Sequence, residues 1–399
     1  MNIGIDIRST LKKQTGIGRY TLNLINSLAK IDSKNDYFLY SRKKLLDFKR
    51  RLPDLPGKNF RHVKILPAGG RHACPLLDVF HTSSYDLPGQ GKAIKFIVTI
   101  HDVIIKAYPH GHDEKTIKEI DEQLKRVLGE ADLLIADSYN TRSDLMKFYG
   151  VHDAKIKVIY PGVVLDSSAT VAMADLLEQY YSSRLPTTET MVGCSKNIAS
   201  IVRASPPRRT SREPYILFVG TIEPRKNVQG LIKAFNYLKK NLVGAVSDRP
   251  LQLYIVGMKG WMYEDIFKEY EDSAFKNDII FKGYVSDKGL AQLYKNASVF
   301  VYPSFYEGFG FPILEAFSHG APVVTSKTSS CGEIAGDSAL LINPDNYKEI
   351  GEAVLKIINS ESLRQELVKK GLDRAKEFTW QKTAREFLRL LQPSTAASQ

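Results

Sequence analysis

The chain has 399 residues, 43% of them hydrophobic and 25% charged, a composition typical of soluble globular proteins. A single hydrophobic core stops growing at roughly 250 to 300 residues, so the length predicts two domains. Lysine and arginine total 56 against 44 aspartate and glutamate, and the net charge of +12 favours polyanionic partners such as phosphorylated ligands or an anionic membrane face; a basic surface covered only by water is the alternative.

Other features of the composition narrow the class of protein. No run of about 18 or more apolar residues occurs, so no helix is expected to span a membrane. The opening MNIGIDIRS starts with an apolar strand and not with a signal-peptide pattern, and the cysteines Cys74, Cys194 and Cys331 are scattered and odd in number. Both observations favour a cytoplasmic protein without disulfides. Aromatic RNA-binding signatures and zinc-finger spacing are absent, so nucleic acid is not an expected partner.

In the first half of the chain, short apolar strands alternate with amphipathic helices. The predicted strands are NIGIDI, YFLYS, HVKIL, DVFHT, KFIVTIHDV, DLLIADS and KVIYPGV. The segment IGRYTLNLINSLAK carries apolar residues at every third or fourth position, which predicts a helix after the first strand. This alternation is typical of a parallel α/β sheet, and we expect an N-terminal domain over residues 1–165.

The loop KKQTGIGRY follows the first predicted strand. Gly16 and Gly18 allow a close backbone approach, and the start of the next helix offers free N–H groups to an anion. The loop is not a dinucleotide fingerprint, because Thr21 stands where a third glycine would be and YSRKK, after the second strand, supplies no acidic residue. A glycine turn with a purely structural role is the alternative.

Histidines follow the strand KFIVTI. His101 lies at its end in TIHDV, where Asp102 could orient the imidazole, although a strand-end histidine with a structural role is the alternative. His110 and His112 in PHGHD have no partners at metal-ligand spacing, so we expect no metal.

Residues 166–212 separate two series of strands. This stretch contains SSRLPTTET and ASPPRRTSRE and predicts a linker or partly disordered insertion, with a short helix around 171–181. The second series consists of YILFVG, QLYIVG, DIIFKGYV, SVFVYPS, APVVTS and ALLINP, with the helices VQGLIKAFNYLKK, DKGLAQLYKNA and PILEAFSHG between them. We therefore expect a second Rossmann-like domain over 213–378, ending in a helix at 361–378. A last helix over 379–391 and a disordered tail over 392–399 follow.

The loop FVGTIEPRKN joins the first strand and first helix of the second series. Arg225 and Lys226 stand just before a helix predicted to begin near Asn227, where they would clamp a phosphate or diphosphate. The alternative, exposed basic residues without a ligand, is disfavoured because cations at a helix start oppose its dipole unless an anion binds.

The segment SFYEGFGFPILEAFSHG carries two glutamates around a glycine-rich turn. Glu307 is predicted in the loop and Glu315 in the first helical turn, with Pro312 also in that turn. Carboxylates at these positions would accept hydrogen bonds from sugar and ribose hydroxyls, but they do not share a helix face and are not an acid/base pair. For Glu315 alone, stabilisation of the helix dipole is the alternative.

Together, GIGRY, HD, FVGTIEPRKN and EGFGFPILE resemble the retaining nucleotide-sugar glycosyltransferases of family 4, above all bacterial mannosyltransferases. The resemblance implies the GT-B fold, in which two Rossmann-like domains face each other across a cleft and the final helix, here with Trp380, crosses back to the first domain. The implied site residues are Glu307 and His101 at the reacting sugar; Arg225, Lys226, Gly16 and Gly18 at the donor diphosphate; Gly308, Phe309, Gly310, Phe311, Pro312, Ile313 and Leu314 along sugar and phosphates; Glu315 at the ribose; and Gly283, Tyr284 and Val285 at the base.

The resemblance also implies the reaction. A sugar would pass with retention from a nucleotide diphosphate, first of all GDP-mannose, to a glycan or polyprenyl-linked lipid in envelope polysaccharide or lipopolysaccharide synthesis, at the inner face of the membrane. No metal or cofactor would be needed, because Lys226 and Arg225 supply the positive charge. One departure is Thr221, where many members carry arginine. Either Arg225 supplies the missing charge or the diphosphate is held more weakly.

Other functions remain open. UDP-sugar-dependent glucosyl or N-acetylglucosaminyl transfer differs only in the donor. A sugar-nucleotide epimerase or a phosphorylase is another class, and a phosphorylase would need a lysine placed for pyridoxal phosphate, which is not visible. A sugar-nucleotide-binding protein without catalysis is the third possibility, although the glutamates, the lysine and the histidine are all in place.

Overall fold

The structure is a computed structural model that describes residues 1–11, 16–41, 52–64, 76–85, 93–111, 113–165, 214–241 and 250–392. Several predictions fall outside these residues: the insertion 166–212 with its helix, the tail beyond 392, and His112, Cys74 and Cys194. The domain boundaries on either side of the insertion therefore stay predictions.

The first sheet is built from strands of the N-terminal half. Its strands are β1 (Asn2–Asp6), β2 (Asp36–Ser41), β3 (Phe60–Lys64), β4 (Leu77–Thr82), β5 (Ala93–Ile100), β6 (Leu133–Ala136) and β7 (Ile156–Val158). All are parallel, in the order β3-β2-β1-β4-β5-β6-β7. The helices of this half are α1 (Gly16–Ile31), α2 (Ile104–Ala107), α3 (Glu114–Glu130) and α4 (Tyr139–Tyr149).

The second sheet repeats this plan. Its strands are β8 (Tyr215–Val219), β9 (Gln252–Val256), β10 (Ile279–Gly283), β11 (Val299–Tyr302), β12 (Val323–Ser326) and β13 (Leu340–Ile342), parallel in the order β10-β9-β8-β11-β12-β13. The helices are α5 (Val228–Asn241), α6 (Glu264–Glu271), α7 (Asp287–Asn296), α8 (Phe311–Ser318), α9 (Ser329–Ala335), α10 (Tyr347–Asn359), α11 (Glu361–Lys376) and α12 (Trp380–Leu391). Helices cover both faces of such sheets, which is why these strands are almost continuously apolar.

The strand order reverses at one point in each sheet. In the first sheet β1 lies beside β4, and in the second β8 lies beside β11. Ligands of doubly wound sheets bind beyond the carboxyl ends of the strands at such a switch point. The loops after β8 and β11 are the two segments singled out from the sequence, so the topology brings them together.

The last helix returns to the first sheet. Helix α12 places Trp380, Phe387 and Leu391 in one core cluster with residues of β1 and α1, and the Trp380 ring meets Tyr20 edge to face at 5.6 Å. The predicted crossover helix is thereby confirmed. We call the first sheet with its helices and α12 the first lobe, and the second sheet with its helices the second lobe.

Two segments of the chain, residues 160–163 and 378–383, lie side by side at the junction of the lobes. The Val163 amide donates to the Phe378 carbonyl at 2.9 Å, and the Thr383 hydroxyl donates to the Tyr160 carbonyl at 2.8 Å. A Cβ on Gly162 would lie 2.1 Å from the Trp380 nitrogen, so only glycine permits this close approach.

Candidate active site

The loop after β8 presents two basic side chains. Arg225 and Lys226 lie in a 3-10 turn, Pro224–Lys226, which ends at Asn227 in the left-handed conformation with φ of 54°. Asparagine tolerates this conformation better than most residues. Its side-chain amide donates to the carbonyls of Pro303 and Pro344 at 3.1 and 2.7 Å, which ties the turn to the loops after β11 and β13.

The loop after β11 bends sharply before α8. Gly310 has φ of 105° and precedes Phe311, the first residue of the helix, with Pro312 in the first turn as predicted. Glu315 consequently lies in the second turn, and the expectation that it occupies the first turn is wrong. No acidic residue stands in the first turn of α8, so the alternative role of Glu315 as a dipole-stabilising acid is excluded as well.

Both basic side chains converge on Glu307. The Lys226 ammonium donates to Glu307 Oε1 at 2.6 Å, and the Arg225 guanidinium donates to Glu307 Oε2 at 2.7 Å. Arg225 also pairs with Glu223 at 2.6 Å, and Tyr302 donates its hydroxyl to Glu307 Oε1 at 2.9 Å. The sequence pointed to the two cations but gave no sign that two carboxylates of the same lobe neutralise them.

Burial and charge oppose each other in this cluster. Glu307 is 7% exposed, and burial alone would raise its pKa; the Arg225 and Lys226 charges outweigh burial and lower the pKa of Glu307 to about 2. Burial lowers the pKa of Lys226, against the attraction of Glu307. Glu307 is therefore an anion at neutral pH, held at the switch point by two cations.

The first lobe contributes His101, which follows β5. Its Nδ1 lies 2.6 Å from Asp137 Oδ2, and Asp137 follows β6. Parallel pairing of Ile100 with Ala136 brings these two strand ends together. The prediction that Asp102 orients the imidazole is wrong: Asp102 instead accepts a hydrogen bond from the Ile104 amide at 3.1 Å.

Asp137 governs the charge of His101. Burial alone would lower the pKa of His101, but the carboxylate of Asp137 outweighs burial and raises it, with a smaller contribution from Asp102. Tyr20 packs edge to face on the imidazole at 4.9 Å. The nearby His81 stays neutral, because burial lowers its pKa to about 3. Nε2 of His101 is buried and makes no hydrogen bond with any residue that the structure describes.

Replacing Asp137 with asparagine is expected to lower the pKa of His101, because burial is then opposed only by the smaller contribution of Asp102. A folded pKa above the unfolded one stabilises the protein below the unfolded value, and this stabilisation is lost as pH rises through the folded pKa. The wild type should therefore exceed the variant in thermal stability more at about pH 6 than at about pH 9. NMR titration of the imidazole measures the shift directly. Asp102→Asn should move the pKa less, and equal shifts in both variants would contradict the pairing.

The two lobes bring His101 and the Glu307 loop into contact. A Cβ on Gly308 would lie 2.0 Å from the His101 carbonyl oxygen, so the backbones of the two segments touch. The Tyr306 hydroxyl donates to Asp144 of α4 at 2.8 Å on the same side. The structure thus brings His101 next to the loop that carries Glu307, although the sequence analysis predicts them in different domains.

Glu315 lies near the start of α1. It accepts a hydrogen bond from Tyr294 at 3.0 Å, and the Arg19 guanidinium, one residue after Gly18, is 4.0 Å away. Arg19 also donates to Asp287 at 2.9 Å, so α1 reaches across the cleft to the second lobe. An added Cβ on Gly16 would meet no atom of the described residues within 4 Å.

The remaining predicted residues follow the carboxyl ends of strands of the second sheet. Gly283 ends β10 with φ of 61°, Tyr284 is 68% exposed, and Val285 packs against the core of the second lobe. Residues Phe309, Ile313 and Leu314 are buried. Thr221 is exposed in the loop after β8.

Within the described ranges, the structure contains neither a cluster of metal ligands nor a membrane-spanning helix. There, no group of three or more histidine, cysteine, aspartate or glutamate side chains is arranged to hold a metal ion. Over the same ranges, none of the helices combines the length and apolar character needed to cross a bilayer.

Two family models match the chain. Residues 14–167 match the model described as Glycosyltransferase Family 4, and residues 204–374 match Glycosyl transferases group 1. The O-antigen chain mannosyltransferase B of Escherichia coli is 28% identical over 393 residues, which cover 92% of this chain and 93% of the relative.

Solved structures with the same architecture span the chain almost completely. Sucrose-phosphate synthase from Thermosynechococcus elongatus superposes with a TM-score of 0.69 at 19% identity, covering 98% of both chains. Anabaena HepE in complex with UDP-glucose superposes with a TM-score of 0.64 at 15% identity, covering 98% of this chain and 99% of the other. The chain belongs to the glycosyltransferases and has the GT-B fold, with a family 4 domain followed by a group 1 domain.

Proposed function

We propose that this glycosyltransferase moves a sugar from a nucleotide diphosphate to a glycan or polyprenyl-linked lipid with retention of configuration, and that GDP-mannose is the donor. The observation that carries the proposal is the convergence of Arg225 and Lys226 on Glu307 at the switch point, against His101 of the other lobe. The name of the Escherichia coli mannosyltransferase supports mannose and an O-antigen type of acceptor.

Departure of the diphosphate is the demanding step. The bond from the sugar C1 to the diphosphate oxygen breaks, and its electron pair stays on the diphosphate. Lys226, Arg225 and the amides at the start of α8 would stabilise that negative charge, and fixed charges in a buried site do so without reorganisation. Gly16 and Gly18 would approach the diphosphate from the first lobe.

The sugar would react as an oxocarbenium-like species. The acceptor hydroxyl attacks C1 from the face that the diphosphate leaves, and its proton passes to the departing diphosphate, so the configuration is retained. Glu307 and Nε2 of His101 would contact the sugar, since both lie where the lobes meet. Glu315 would bind the ribose hydroxyls, and residues 283–285 the base. Contact between the lobes would exclude water, which otherwise hydrolyses the donor.

A UDP-sugar is the alternative donor. The observation in its favour is the superposition on HepE, whose structure contains UDP-glucose. The two donors differ in the base and the sugar, while the diphosphate contacts are shared.

A panel of nucleotide sugars separates these possibilities. GDP-mannose is expected to raise the unfolding temperature most; a ligand at about one hundred times its Kd stabilises by about 2.7 kcal/mol. Transfer to a mannose-containing acceptor should then give the α-anomer from an α-linked donor by NMR, with the same rate in EDTA. No stabilisation by any nucleotide sugar, or an inverted product, would refute the proposal.

Association with an anionic membrane surface is proposed from the net charge of +12. Flotation with liposomes that contain anionic lipid should carry the protein at low salt and release it at high salt. Failure to float at low salt would argue against a membrane-bound acceptor.

A further inference from the structure

Two hydroxyl side chains at the start of α4, Ser138 and Thr141, are buried between the lobes. Ser138 is the N-cap of this helix, and its Oγ accepts a hydrogen bond from the Thr141 amide at 3.0 Å. Both side chains have no exposed surface. An N-cap oxygen needs only to accept, so the hydroxyl proton of Ser138 remains available for a second bond.

Both hydroxyls point at one carbonyl of the second lobe. Ser138 Oγ lies 2.6 Å from the Gly308 carbonyl oxygen, and Thr141 Oγ1 lies 3.1 Å from it. Thr141 Oγ1 is also 3.3 Å from the His101 carbonyl oxygen. One pair of first-lobe hydroxyls therefore contacts the residue next to Glu307 and the backbone of His101 itself.

Further groups at the start of α4 also face the second lobe. The amides of Tyr139 and Asn140 donate to the Glu333 carboxylate of α9 at 2.8 and 3.0 Å, and Tyr160 donates to the same carboxylate at 2.8 Å. Free N–H groups at a helix start attract a carboxylate. When the lobes separate, these amides and hydroxyls lose their partners together.

Within the second lobe, Glu307 is held from the other side. Its amide donates to Ser329 Oγ at 3.1 Å, and Ser330 Oγ donates to its carbonyl at 2.8 Å. The Glu307 backbone thus has fixed partners in its own lobe, while the adjacent Gly308 carbonyl takes its partners from the opposite lobe.

We propose that Ser138 and Thr141 are positioning residues, which hold the Gly308 carbonyl against His101 and so align the Glu307 loop with the histidine only when the lobes are closed. The inference rests on the proposed function, in which both groups contact the transferred sugar. It assigns the two hydroxyls a role in turnover and none in binding the donor to the second lobe.

The test uses the full chain with Thr141→Val, which keeps the side-chain shape, and Ser138→Ala. Ser360→Ala is the matched control, because it removes the N-cap of α11, where the hydroxyl meets Leu363 and Ser362 of the same lobe. For Thr141→Val, kcat should fall about tenfold, corresponding to one buried hydrogen bond, while the KM for the donor changes less than about twofold. Amide hydrogen exchange in residues 305–310 should rise in both variants and stay unchanged in the control.

Unchanged exchange in both variants would overturn the proposal, as would an unaltered kcat in Thr141→Val. A fall in donor affinity equal to the fall in kcat would also overturn it, since the hydroxyls would then act on donor binding. If the chain transfers no sugar at all, the proposed function fails, and the exchange measurement alone decides whether the hydroxyls hold the loop.

Discussion

Replacement of Lys226 with alanine is expected to lower sugar transfer by about 10²- to 10³-fold, the usual loss when one fixed group that stabilises developing negative charge is removed. Lys226 is 8% exposed, and its ammonium donates hydrogen bonds to Glu307 and Tyr302, both at 2.6 Å. These contacts fix its position before a donor arrives, so little reorganisation is needed when charge builds on the leaving diphosphate. Steady-state kinetics with the donor that stabilises the protein most measure the effect.

A loss of activity must be separated from a loss of folding. Removing one partner of a buried ion pair costs about 3 to 5 kcal/mol when the other charge is left alone. Here Arg225 stays 2.7 Å from Glu307 and continues to neutralise it, so the cost should be smaller. Lys226→Met, which also fills the space of the lysine stem, should retain the unfolding temperature better than Lys226→Ala and be equally inactive.

Lys239 provides the matched control. It lies on α5 of the second lobe, away from the switch point. Its side chain is similarly enclosed, and its ammonium pairs with Asp278 at 2.7 Å. Lys239→Ala should lower stability and leave the kinetics of the folded enzyme unchanged. Full activity in Lys226→Met would refute the assignment of the diphosphate to this lysine.

Most of the fold could be predicted from the sequence, for a definite physical reason. Strands covered on both faces must be apolar throughout, and segments such as YILFVG and SVFVYPS match β8 and β11 with little error. The apolar face of the segment 379–391 was enough to predict that a helix forms there. Its docking against α1 followed only from the resemblance to known glycosyltransferases, because many surfaces accept an apolar stripe.

The site was predictable where neighbours in the chain decide it. Arg225 and Lys226 lie before a helix because a 3-10 turn with Pro224 precedes it, and both face Glu307 since β8 lies next to β11. The pairing itself was not predictable, because spacing along the chain does not show which carboxylate a cation meets.

The errors arose where the partner lies on another strand. Asp102 is adjacent to His101 in the chain, yet Asp137 holds the imidazole because β5 and β6 end side by side. A signal did exist: Asp137 stands after an apolar strand just as His101 does. The predicted position of Glu315 in the helix was wrong by one turn, because α8 begins at Phe311, directly after Gly310.

The Gly308 backbone is where the proposed reaction depends most directly on contact between the lobes. A Cβ at this position would lie 2.0 Å from the His101 carbonyl oxygen and 2.6 Å from Asp102 Cβ. Neither the His101 backbone nor the Asp102 Cβ is the far end of a flexible side chain that could turn away. A methyl group on residue 308 would therefore be accommodated only if the lobes moved apart. Gly308 does not have positive φ, so alanine brings no backbone strain of its own.

Gly308→Ala is therefore expected to reduce kcat by at least about 10²-fold, the penalty for misplacing reacting groups by about 1 Å, while donor affinity changes only a few-fold. Steady-state kinetics measure kcat, and calorimetric titration measures the affinity for the donor. In small-angle X-ray scattering, the donor-bound variant should have a larger radius of gyration than the donor-bound wild type. Gly129→Ala in α3 is the control, because its added methyl meets no atom within 4 Å in the part of the chain that the structure describes. Normal turnover by Gly308→Ala would mean that the reaction does not pass through this contact, and His101 and Glu307 would then have to meet the sugar in a different arrangement of the lobes.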